Sequence, residues 1–83
     1  MNTERREMLG DVVNTIDEAI SQIEDVRDDE QDAFDNMPEG LQCSKSGDSM
    51  QAAIDDMDGI ISDLTAVQGK IIDMTKPRKR SKK

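Results

Sequence analysis

The chain has 83 residues, 11 basic and 19 acidic, with a formal net charge of −8, and it contains no His, Trp or Tyr. So short a chain forms one domain at most and encloses only a thin core. Without His, imidazole-ligated zinc sites and His-based triads are excluded, and the single Cys43 provides neither a disulfide framework nor a cluster of thiolate ligands.

One Phe and six Met make the apolar surface soft and poor in aromatic area. For scaffolds of this size, burial and chain entropy nearly cancel, so a second copy or another partner is expected to complete the core. The opening MNTERREMLG lacks the apolar segment of a signal peptide, and no apolar run approaches membrane-spanning length. A soluble protein of a reducing compartment is expected.

The first element runs from about residue 4 to about residue 36. Leu9, Ile16, Ile23, Glu30 and Met37 recur every seven residues, and Val12, Ala19, Val26 and Ala33 recur three places later. Val13, Ile20 and Phe34 widen the stripe, with Arg27 in their row. This is the period of an amphipathic helix packing along a seam. Thr3 suits the N-cap, and Pro38 ends the helix near Asn36 because it lacks an N–H and restricts Met37.

A turn over about 37–47 follows. Phe34, Met37 and Leu41 are expected to plug this end of the seam, and Cys43 to pack in the turn as a small apolar residue. The second helix covers about 48–75, capped by Ser46 or Asp48 and stopped near Thr75 by Pro77. Met50, Met57, Leu64 and Ile71 form one row, and Ala53, Ile60, Val67 and Met74 the next. Ile54 and Ile61 broaden the stripe, and Gln68 falls in their row. The short connection predicts an all-α, coiled-coil-like antiparallel two-helix hairpin over 1–75, with Met37 facing Met50, Ile23 facing Leu64 and Ile16 facing Ile71. Homodimerisation into a four-helix bundle would complete it. Arg27 and Glu30 interrupt the stripe; they either pair with each other or reach solvent at its edge.

Charge is distributed unevenly. Thirteen of the acids are Asp, and residues 76–83, KPRKRSKK, hold six of the basic residues. Asp25, Asp28, Asp29, Asp32 and Asp35 on the first helix, with Asp55, Asp56, Asp58 and Asp63 on the second, present short carboxylates close to a rigid backbone. Such a field suits a groove built to hold phosphates, or it simply keeps a small protein in solution. The 76–83 tail is expected to be disordered, with Lys76, Arg78, Lys79, Arg80, Lys82 and Lys83 as candidate nucleic-acid contacts.

Catalytic and metal motifs fail on inspection. A calcium loop with Gly59 at its sixth position would begin at Ile54 and end at Thr65, neither of which fits. A phosphate loop ending at Lys45-Ser46 would need glycine where Glu39 and Ser44 stand. Carboxylates on open helix faces have no cleft to shift their pKa values, so no enzyme activity and no cofactor are expected.

The stretch EQDAFDNMPEGLQCSKSGDSMQAAID, residues 30–55, resembles small acidic helical-hairpin proteins of bacteria, phages and mobile elements. The likeness rests on Glu30, Ala33, Asn36, Pro38, Glu39, Gly40, Leu41, Gln42 and Ser44, an Asn-x-Pro-Glu-Gly-Leu-Gln-like turn. It implies a hairpin in the cytoplasm of a bacterial host. From these features the expected function is a phage or mobile-element inhibitor of a host or defence protein. The acidic faces would mimic nucleic acid, and Phe34, Met37 and Leu41 would anchor the contact. A structural coiled-coil subunit, or a nucleic-acid-associated protein docking by its tail, are the alternatives.

Overall fold

A computed structural model describes residues 2–76, and the tail residues Arg78, Lys79, Arg80, Lys82 and Lys83 lie outside the described residues. Three helices follow in order: α1 (Thr3–Asp35), α2 (Glu39–Gln42) and α3 (Lys45–Thr75). No strand occurs among the described residues, so the all-α expectation holds. The molecule is an elongated body of 63 × 24 × 13 Å. Its radius of gyration is 19.0 Å, against about 12 Å for a compact chain of this length.

Local chemistry sets the helix ends. The Asn2 side chain accepts from the Arg5 N–H at 2.9 Å, so the cap of α1 is Asn2 and not Thr3. Asn36 closes α1, donating its N–H to the Asp32 carbonyl at 3.0 Å. Pro38 then opens α2 instead of an irregular turn. Its carbonyl accepts from the Leu41 and Gln42 N–H groups at 2.9 and 3.1 Å. Ser44 caps α3, taking the Gly47 N–H on its hydroxyl at 3.4 Å, which moves the cap forward from Ser46 or Asp48.

The helix α2 shortens the connection, and α3 begins at Lys45. The register against α1 shifts accordingly. The Gln68 side-chain amide donates to the Val13 carbonyl at 3.0 Å, and the Arg27 Nη1 donates to Asp58 at 2.9 Å. Both contacts set α3 nearer the N-terminus of α1 than a Met37–Met50 pairing places it. Early residues of α1 thus meet late residues of α3. A buried seam polar group that finds a partner stabilises by about 1 kcal/mol. Gln68→Ala is therefore expected to lower Tm by roughly 4–8 °C, the shift per kcal/mol for a domain of this size. An unchanged thermal melt would show that Val13 does not need the bond.

The core is thin, as the length demands. Among the described residues, the large apolar side chains that are buried are Ile20 and Ile54, at 8 % and 4 % exposure. Around them Leu9, Val13, Ile16, Ile23, Phe34 and Met37 on α1 are half-buried, as are Met50, Met57, Ile61, Leu64 and Ile71 on α3. The seam is therefore built from the Leu9 and Val13 rows against the Met50 and Ile54 rows. In the rows through Val12 and Ile60 the large side chains stay exposed, and only Ala19 and Ala53 are half-buried.

Candidate interaction surfaces

The closed end comes first, because α2 fixes it. The Gln42 side chain donates to the Phe34 carbonyl at 2.9 Å, tying α2 to the last turn of α1. The Met37 N–H reaches the same carbonyl at 3.1 Å, so one otherwise unpaired helix-end acceptor is doubly satisfied. Ser44 also donates its hydroxyl to the Leu41 carbonyl. Gly47 is buried where α3 crosses α2, and a Cβ there would meet the Gln42 backbone. Sequence reading missed the roles of Gln42, Ser44 and Gly47. The only signal was their clustering after Pro38, which a generic polar turn would share.

This geometry corrects two expectations. Phe34 and Met37 are half-buried against the seam, but Leu41 is 50 % exposed and plugs nothing. With four residues of α2 folded as helix, the Leu41 side chain is carried outward while its carbonyl caps the turn. Cys43 is exposed rather than packed, for it closes α2 on the outer side.

All nine candidate aspartates are exposed, but they do not form one surface. Asp25, Asp28, Asp32 and Asp35 recur at three- and four-residue spacing and so share one stripe of α1. Arg27 joins this stripe to α3, binding Asp28 at 3.2 Å and Asp58 at 2.9 Å. Arg27 thus pairs across the helices, not with Glu30. Its pKa is raised above the ordinary arginine value by the hydrogen bond to Asp58 first and that to Asp28 second. As an exposed bridge it fixes register more than it adds stability. Asp29, Asp56 and Asp63 fall elsewhere, three or four residues from Val26, Ile60 and Val67, on the border of the opposite face.

That opposite face is apolar and open. Val12, Val26, Ile60, Val67 and Met74 are between 41 % and 57 % exposed. They lie on the same side of the helix pair: Ala19, Ile23 and Val26 share one shallow depression with Met57 and Ile60. A second depression, of about 470 Å³, is lined by Arg5, Met8, Leu9 and Val12 near the start of α1. Sequence periodicity detected these rows but assigned them to the internal seam.

At the far end, Lys76 is exposed and its ammonium lies 3.6 Å from Asp73. Among the described residues no three of the His, Cys, Asp or Glu side chains stand close enough to hold a metal ion, and no helix is long and apolar enough to cross a membrane. No family model matches the chain, and no curated protein or solved structure does either.

Proposed function

We propose that the chain is a non-enzymatic interaction module: an antiparallel helical hairpin that pairs with a second copy into a four-helix bundle and holds a basic protein surface with its outward aspartates. The observation that supports this reading is the division of the surface. The stripe of Asp25, Asp28, Asp32 and Asp35 is exposed on one side, while the apolar rows of Val12 and Ile60 are exposed on the other. A two-sided helix pair buries its apolar side and leaves its charged side for recognition. Fixed short carboxylates at helical spacing compete for sites that otherwise hold phosphates. In the setting implied by the turn, the partner is a host or defence protein that handles nucleic acid.

The test uses a bacterial host lysate and three baits: the full chain, a version ending at Thr75, and a full-length variant with Asp25, Asp28, Asp32 and Asp35 each changed to Asn. The expected result is a protein retained by the first two, released by added salt or double-stranded DNA, and lost with the third. A partner that holds the protein and DNA together without mutual effect would sink the mimicry. Nucleic acid retained only by the full chain would move the function to the tail. The open apolar rows also favour a second reading, a structural coiled-coil subunit. Its signature is a large stable oligomer that retains no ligand.

A further inference from the structure

The apolar face has a symmetry of its own. On α1 the stem of Arg5, which lines one depression with Val12, extends the row of Val12, Ala19, Val26 and Ala33 by one step and centres it on Ala19. On α3, Ala53, Ile60, Val67 and Met74 are spaced evenly about the midpoint between Ile60 and Val67. The two centres stand at one level. Counting eight residues back from Arg27 and six on from Val13, the contacts to Asp58 and Gln68 set Ala19 level with residues 62 to 66. That span contains the midpoint of the α3 row.

From this coincidence, and resting on the dimeric reading above, we infer that a second copy docks face to face with the closed ends pointing in opposite directions. One two-fold axis across the width of the plate at Ala19 then pairs both rows at once. Ala19 meets its own copy, with no side chain beyond Cβ to hold the helices apart. Val12 meets the partner's Val26, and Ile60 meets the partner's Val67. Each helix lies against its own copy. A face 63 Å long and 24 Å wide has room for the roughly 800 Å² per partner of a specific interface.

Charge selects this orientation over the other two-fold arrangement, in which the closed ends stack. Residues 22–64, the closed half, carry thirteen acidic and two basic side chains, whereas residues 2–21 and 65–76 carry six and four. Stacking closed ends would superpose two halves of net −11; opposing them sets each against a half of net −2. The borders agree. Lys70 neighbours Val67 and Met74 on α3, and the axis sets it beside the partner's Asp56. Arg5, at the end of the α1 row, comes beside the partner's Glu30. Asp63 lies near the axis and meets its own copy, the one unfavourable pairing, at the exposed rim where screening is strongest.

The lone Cys43 serves as the probe, since it is exposed at the closed end. The full chain carrying a nitroxide on Cys43 is weighed by sedimentation equilibrium, and the label–label distance is read by pulsed electron resonance. Opposed closed ends predict a dimeric mass and a separation of roughly 50 Å, from 1.5 Å of rise per residue. A dimeric mass with labels within roughly 25 Å, the span allowed by 8–10 Å helix spacing, overturns the orientation and leaves the dimer standing. A monomeric mass at all concentrations overturns the dimer itself. Independently, Lys70→Glu is expected to weaken the dimer severalfold, and adding Asp56→Lys to the same chain to restore it. Failure of that restoration counts against the register.

Discussion

Gly47→Ala should be among the most damaging single-atom additions available to this protein. The added Cβ would fall on the Gln42 carbonyl group and 2.8 Å from the Gln42 Cα. Both are backbone, so no side chain can swing aside; either α2 or the first turn of α3 must move. Gly47 has no positive φ, so the requirement is one of space and not of conformation. Overpacking of this kind costs about 1–3 kcal/mol, and a backbone obstacle belongs at the upper end. At 4–8 °C per kcal/mol, a fall in Tm of more than about 10 °C is expected. The control is Gly59→Ala. Open space surrounds that position in the middle of α3, so helix propensity alone should operate and stability should rise by up to about 1 kcal/mol. Equal responses at the two glycines would rule out the α2–α3 contact.

The contrast between these glycines shows where sequence reading works and where it stops. Periodicity locates both long helices, because a seven-residue recurrence of apolar side chains has one helical interpretation. Pro38 places the end of α1 near Asn36, since the constraint acts on its immediate neighbours. Nothing in the local sequence separates Gly47 from Gly10, Gly59 and Gly69, because its role depends on α2, a single helical turn without a periodic signal. Ser44, Ser46 and Asp48 are all competent caps by residue type. Ser44 caps α3 because α2 ends at Gln42 and brings the Ser44 hydroxyl to the Gly47 N–H. Leu41 was misassigned for a related reason, as folding residues 39–42 into helix reverses which of its groups faces inward.

The candidate surface was legible in its parts and not in its arrangement. Each aspartate is exposed as its residue type suggests. What the sequence did not distinguish is that Asp29, Asp56 and Asp63 border the apolar face, while Asp25, Asp28, Asp32 and Asp35 stand apart from it. The distinction depends on which of three adjacent apolar rows enters the seam. On α1 the rows through Leu9, Val12 and Val13 are all apolar enough to qualify. Packing selects the first and last, and the last carries the Val13–Gln68 and Arg27–Asp58 contacts to α3.

Ile54→Ala and Ile60→Ala, six residues apart on α3, should therefore separate by protein concentration. Ile54 is 4 % exposed, and truncating such a residue costs about 2–5 kcal/mol. A chain of 83 residues holds only roughly 4–12 kcal/mol in total, at 0.05–0.15 kcal/mol per residue. The Ile54 variant should accordingly melt at far lower temperature at every concentration, by circular dichroism or calorimetry. Ile60 is 46 % exposed within a single copy; its truncation there removes only part of a buried side chain, about 1 kcal/mol. In a dimer the partner's Val67 covers it, and the cost rises towards that of Ile54. Stability of an associating chain depends on concentration by mass action. The Ile60 variant should thus fall slightly below the unaltered protein when dilute and well below it when concentrated. A constant, small cost across that range would mean that no second copy covers Ile60. The open face would then belong to a different partner, and the bundle would be an assembly of unlike chains.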